Sequence, residues 1–118
     1  MSEKRQIADR KGREAEAQAA QFLFGRGFSM LAERVKTKRG AIDLIARKGN
    51  LVAFIEVKWR ARVSDLADAI DERRLARVAA AVEIVAGDYA KDDDDVRIDV
   101  ILLAPGIRPR HIENAWMP

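Results

Sequence analysis

Apolar and polar positions divide the chain into six predicted elements. Residues 11–26 are rich in Ala, Glu and Gln, with a small-apolar face at helical spacing, and predict a helix. Gly27 fits its stop. Residues 1–10 carry no such face and read as a frayed end. Phe28 to Val35 reads as a first strand. Ala41 to Arg47 and Leu51 to Lys58, rich in Ile, Leu, Val and Phe, read as two more. Gly49-Asn50 between them is a hairpin dipeptide. Ser64 is placed to cap a long helix reaching about Ala86, with Gly87 as its stop. Val96 to Ala104 is a fourth strand, broken by Pro105-Gly106, and residues 111–116 suggest a short final strand or turn. The order is α-β-β-β-α-β, an α/β fold.

Composition narrows the chemistry. The 118 residues make one expected domain, 1–118, since halves would be too small to hold separate cores. At 48% hydrophobic and 35% charged, the chain reads as soluble and globular. It has no apolar run long enough to span a membrane and no secretory-type N-terminus, so the cytoplasm is the expected location. With no cysteine and His111 as the single histidine, thiolate chemistry and a multi-histidine zinc site are excluded. Any catalysis must rest on carboxylates, lysine and a hard metal ion.

Charge is unevenly distributed. The net formal charge is +3, yet residues 1–39 hold ten basic and five acidic side chains, while residues 65–99 hold five basic and eleven acidic ones. The first half could present a basic face to phosphates, or simply a solvated surface. The run Asp92 to Asp95 reads as a solvated loop without the pattern of a calcium site.

Three carboxylates break the apolar patterning. Period-two alternation puts Ile42, Leu44 and Ala46 on one face, with Ala41, Asp43 and Ile45 on the other. In the next strand Val52, Phe54, Glu56 and Lys58 share a face. A two-residue loop at Gly49-Asn50 pairs Lys48 with Leu51 and, counting back, Asp43 with Glu56. Two such carboxylates repel unless a cation lies between them. Together with the Val57 carbonyl they suit Mg²⁺ or Mn²⁺, and Lys58 could position a water or stabilise developing charge. The same residues read equally as a cross-strand ion pair guarding a sheet edge. Glu16 shares a helix face with Ala19, Ala20, Leu23 and Gly27, where a carboxylate is anomalous unless it reaches water.

These blocks resemble a known family. Gly12-x-x-x-Glu16-x-x-Ala19-x-x-Phe22-Leu23-x-x-x-Gly27-Phe28, then Gly40-Ala41-Ile42-Asp43-Leu44-Ile45-Ala46, then Phe54-Ile55-Glu56-Val57-Lys58, are similar to the YraN family of predicted endonucleases. Arg97-Ile98-Asp99-Val100 and Ile112-Glu113-Asn114-Ala115-Trp116 are similar to its later blocks. The resemblance covers about residues 12 to 116. It implies the PD-(D/E)XK, restriction-endonuclease-like fold, with a mixed central sheet flanked by helices, and a divalent-metal phosphodiesterase site. By motif position it makes Glu16 the helix carboxylate, Asp43 the strand aspartate, and Glu56 with Lys58 the E-x-K pair. The family block usually reads Gly-Glu-Ile-Asp, so Ala41 stands where a carboxylate is common. Ala15 stands where glycine is common.

Other residues qualify for substrate contact. Lys36, Lys38 and Arg39 precede the Asp43 strand, Arg60 and Arg62 follow Lys58, and Arg74 and Arg77 lie on the second helix. Trp59 alternates away from Lys58 and reads as core, and His111 as a surface or packing residue. The expected function is metal-dependent hydrolysis of DNA, with branched or flapped DNA as candidate substrates. The alternative is a non-catalytic nucleic-acid-binding module whose site lost a carboxylate at position 41. A homodimer would suit a two-strand-cutting enzyme, but no residue specifies one.

Overall fold

The computed structural model describes residues 2–116. Helix α1 spans Glu3–Gly25, followed by strands β1 Ser29–Thr37, β2 Gly40–Lys48 and β3 Leu51–Trp59. Helix α2 spans Glu72–Tyr89, and strands β4 Asp95–Leu103 and β5 Arg110–Ile112 complete the chain. One mixed sheet runs in the order β1-β2-β3-β4-β5. Only β3 and β4 are parallel, and α2 lies in the connection between them. This is the α-β-β-β-α-β arrangement expected, compatible with a restriction-endonuclease-like core.

Each helix covers one face of the sheet. On one side Ala15, Ala19 and Leu23 of α1 pack on Leu44, Ala46, Ala53, Ile55, Ile101 and Leu103. On the other, Leu75, Val78, Ala81 and Val82 of α2 pack on Ile45, Val52, Phe54, Ile98 and Val100. Helix α1 ends where Gly27 predicts. The Phe28 N–H donates to the Leu23 carbonyl and the Gly27 N–H to that of Phe24, with Gly27 at φ 92°.

Four expectations need correction. Residue 1 lies outside the described residues, but residues 3–10 are helical and not frayed: Ser2 accepts a hydrogen bond from the Arg5 N–H, and the helix begins at Glu3. These turns were illegible because they carry no apolar face to pack. The second helix does not begin at Ser64. Residues 63–69 form two short 3₁₀ turns that bury Leu66 and Ala69. Asp71, in extended conformation, then caps α2 by accepting from the Arg73 N–H. Gly87 does not stop α2, which continues to Tyr89, whose ring packs edge-on against Phe54.

The fourth correction concerns β2. The hairpin register is as expected from Lys48↔Leu51 back to Leu44↔Ile55. The ladder ends there, and Asp43 has no direct strand partner in Glu56. Ile42 joins the cluster under α2 while Leu44 joins that under α1, so alternation breaks at Asp43. Arg34 falls between the pairs Glu33↔Leu44 and Val35↔Ile42, at φ 51°, a left-handed conformation costly for arginine. The pleat is disrupted on both strands at one level, which opens the sheet beside Asp43.

Candidate metal and nucleic-acid site

The break in β2 and the C-terminal end of β3 share one cleft between the two helices. Where main-chain pairing stops, the Asp43 side chain replaces it: its Oδ2 accepts the Val57 N–H at 2.8 Å. The carboxylate of Asp43 is therefore pinned to β3 beside Glu56. Glu56 is buried in the face under α2, at 6% exposure. On the α2 side, Asp43 and Glu56 line a cavity with Gly40, Ala41, Arg74, Arg77 and Val78. On the α1 side, both acids border a larger groove that includes Lys11, Gly12, Glu16, Lys58 and Arg60.

The electrostatics of the two acids differ. Glu56 Oε1 takes Lys58 Nζ at 3.2 Å and Arg74 Nη2 at 3.3 Å. Two cations therefore offset its desolvation. Asp43 has only the Val57 N–H as a donor among the described residues. Its pKa is pushed up to about 6, by burial first and by the Glu56 and Glu16 charges as well, which the Val57 N–H and Lys58 only partly oppose. Asp43 is thus a carboxylate short of positive charge.

Glu16 lines the α1 side of this groove but is engaged elsewhere. Its Oε1 accepts from Arg34 Nε at 2.7 Å. That ion pair ties α1 to the strained position of β1. Sequence patterning placed Glu16 here but gave no sign of Arg34, because an exposed basic residue in a strand breaks no pattern. No three His, Asp or Glu side chains among the described residues converge closely enough to form a metal cluster. The donor set is therefore two carboxylates, Asp43 and Glu56, with main-chain oxygen nearby. Hard oxygen donors of this number fit an ion such as Mg²⁺, which keeps several waters.

The sequence-predicted basic residues fall into distinct groups. Arg74 and Arg77 are exposed and border the cavity directly. Arg77 has no carboxylate partner within salt-bridge distance among the described residues. The Arg77 carbonyl also lies close to Gly40, which brings the β1–β2 turn holding Lys38 and Arg39 against α2. Lys36, Lys38 and Arg39 are all exposed. Arg60 borders the groove on the α1 side and donates to the Trp59 carbonyl. Arg62 pairs with Asp65 and does not border the cleft. Lys11, missed by sequence reasoning, borders the groove with its Nζ 4.9 Å from the Trp59 ring centroid. Trp59 itself is half-buried against the α1-side core, as expected.

A second buried acid proves structural. Asp99 is fully buried and accepts from Arg97 Nε and Nη2, from the Asn114 N–H and from His111 Nε2. His111 is a packing residue, set edge-on to Phe22 and Phe28. The network fastens β5 and the segment after it to the sheet.

Comparison with known proteins places the chain in a family. A family model described as "Uncharacterised protein family UPF0102" matches residues 15–103. A UPF0102 protein of Erythrobacter litoralis is 64% identical over 115 residues, covering 98% of this chain and 99% of its own. Relatives of the same name from Sphingopyxis alaskensis and Rhizorhabdus wittichii are 50% and 49% identical, covering 97% and 96% of this chain and 98% and 96% of their own. No described helix is long and apolar enough to cross a membrane. With the matched span containing Glu16, Asp43, Glu56, Lys58 and Asp99, the chain belongs to the UPF0102 family, known also as YraN.

Proposed function

We propose that this protein is a metal-dependent nuclease that hydrolyses phosphodiester bonds of DNA at the cleft between α1 and α2. The observation that carries the reading is the charge-deficient Asp43 carboxylate, held beside Glu56 in a cleft rimmed by Lys58, Arg74 and Arg77. Asp43 and Glu56 would hold a divalent ion such as Mg²⁺ or Mn²⁺, with the Val57 carbonyl as a further oxygen. A bound ion of this type supplies Lewis-acid stabilisation of the phosphate and a more acidic water.

The chain's own residues supply the rest. Lys58 is buried, and its Nζ is held 3.2 Å from Glu56, which fixes a positive charge at the reacting end of β3. It is placed to stabilise charge developing on the phosphate oxygens. Arg74 reaches Glu56 from an exposed position on α2, and Arg77 beside it has no acidic partner to release among the described residues. Both are available to phosphate oxygens entering the cavity. Lys36, Lys38 and Arg39 extend the basic rim along the β1–β2 turn and would grip the backbone outside the reacting step. Glu16 acts through Arg34, fixing the strained turn of β1 that opens the strand beside Asp43.

Ala41 supports a second reading. It lies in the cavity wall with Asp43, and a methyl group there provides no ligand or base. A non-catalytic DNA-binding module would keep the basic rim and lose turnover. Purified protein incubated with labelled linear, flapped and four-way-junction DNA distinguishes the two. The nuclease reading expects cleavage in Mg²⁺ or Mn²⁺, none in EDTA, and loss of at least 100-fold in Asp43→Asn and Glu56→Gln, consistent with removal of ligand and electrostatic contributions of roughly 3 kcal/mol or more. Salt-sensitive binding without cleavage in any metal selects the binding module.

A further inference from the structure

We infer that the projecting half of α1 is a duplex-binding arm, in which Lys4, Arg5 and Lys11 grip the phosphate backbone of DNA leaving the cleft. The inference rests on the nuclease reading for the identity of the polyanion. Helix α1 is longer than the sheet needs. Its buried residues are Ala15, Ala19 and Leu23, while residues 3 to 11 are exposed throughout. The core-facing row continues back at helical spacing from Ala15 through Gly12 and Lys11 to Ala8, then to Arg5 and Lys4. A face meant for this chain's own core would carry apolar side chains there. It carries three cations, Lys4, Arg5 and Lys11, together with the small residues Ala8 and Gly12.

The acidic residues of this half avoid that row. Glu3 and Glu14 fall on the opposite side by helical spacing, and Asp9 lies on the flank near enough to Arg34 to raise its pKa. The row is also continuous with the cleft. Ala8, Lys11 and Gly12 border the same groove as Asp43, Glu56 and Lys58. Lys11 rests over Trp59, so its charge is held at the groove wall. Ala8 and Gly12 let a bulky backbone approach the helix closely. From Lys4 to Lys11 the helix rises about 10 Å, roughly three base-pair steps along a duplex. The partner that fits is a stretch of double-stranded DNA running along α1 from the cleft.

Equilibrium binding of a labelled 20-base-pair DNA duplex in metal-free buffer, measured by fluorescence anisotropy across a salt series, tests the arm. Lys4→Gln/Lys11→Gln preserves helix propensity and should weaken binding, lowering the slope of log affinity against log salt by about 2, near 0.9 for each phosphate no longer neutralised. Arg10→Gln/Arg13→Gln removes the same charge from the other side of the helix and should leave that slope unchanged. An unaltered slope in the Lys4/Lys11 variant, with native protein still binding, overturns the arm and leaves the nuclease reading intact. Equal losses in both variants overturn it too, because net charge alone would then explain binding. Failure of the native protein to bind the duplex overturns the arm, while the nuclease reading falls only if linear, flapped and four-way-junction DNA also survive incubation with Mg²⁺ or Mn²⁺.

Discussion

Two aspartates, the half-buried Asp43 and the buried Asp99, show how environment separates a reactive group from a structural one. Burial raises the proton affinity of Asp99, but hydrogen bonds from His111, Arg97 and the Asn114 N–H outweigh it and hold the carboxyl below its usual range. Asp43 meets one N–H and two neighbouring carboxylates, and its pKa is pushed up to about 6. The signs of their contributions to stability are opposite. Asp99 stabilises the fold above the ordinary carboxylate range, and that stabilisation is lost as pH falls through its lowered pKa. Asp99→Ala should cost about 3–5 kcal/mol in urea unfolding at neutral pH, because it removes the buried partner of His111 and leaves Arg97 only its longer contact with Glu113. Asp43 instead destabilises the metal-free fold fully above about pH 6, and the penalty fades as the group protonates between about pH 6 and pH 4. Asp43→Asn keeps an acceptor for the Val57 N–H. It should therefore stabilise the metal-free protein by on the order of 1–2 kcal/mol near pH 7.5, with the gain vanishing near pH 4. A variant no more stable than native near pH 7.5 would show that Asp43 carries no such penalty. Added Mg²⁺ should raise the stability of the native protein alone, through binding to the folded state.

Among the helices and strands, local patterning carried far where packing followed it. The β2–β3 hairpin was legible because period-two apolar strands flank Gly49-Asn50. Gly49 has φ 61° while Asn50 is not left-handed, the pattern of a II′ turn, and the register follows from it. Open space surrounds a Cβ built at Gly49, so Gly49→Ala should cost about 1–2 kcal/mol from conformation alone. Thermal unfolding with unchanged cleavage would confirm that the turn acts on stability and not on the site. A loss beyond about 3 kcal/mol would mean that the turn fixes more than local strain. Glu16, Asp43, Glu56 and Lys58 were legible for a related reason: each is a charge in a row that should be apolar. What stayed hidden arises from contacts distant in sequence. The first turns of α1 face no core, so they show no periodicity. The start of α2 is delayed because Leu66 and Ala69 are buried by 3₁₀ turns, which imitate helical spacing over a few residues. The break at Asp43 depends on Arg34 of another strand and on Glu16 of α1, and no local rule joins those three. Asp99 entered the sequence reading only as part of a block carrying the resemblance, and its partner His111 gave no local sign.

The whole molecule is electrically polar along its strands. Strand β3 starts beside Asp95 and ends at Glu56 to Trp59, so the acidic Asp92 to Asp95 run sits at the end of the sheet opposite the cleft. Within that run Asp94 is spoken for: it takes both terminal nitrogens of Arg47, whose guanidinium holds its carboxyl down at about 2. Asp92 and Asp93 remain exposed. The seven strand steps from Leu51 to Lys58 span about 23 Å, nearly three screening lengths at physiological salt. This separation makes a falsifiable demand on association with DNA. Asp92→Asn/Asp93→Asn makes the net charge more positive by two, yet should change the association rate less than twofold at about 0.15 M salt. Lys38→Gln/Arg77→Gln makes it more negative by two at the rim of the cleft, and should slow association roughly three- to tenfold under the same conditions. At about 0.01 M salt the screening length grows to about 30 Å, so neutralising the distant aspartates should then speed association measurably. Stopped-flow association with a labelled duplex reads all three. If the two variants shift the rate equally at physiological salt, net charge governs the encounter. The basic rim around Arg77 and the β1–β2 turn would then not be where DNA arrives.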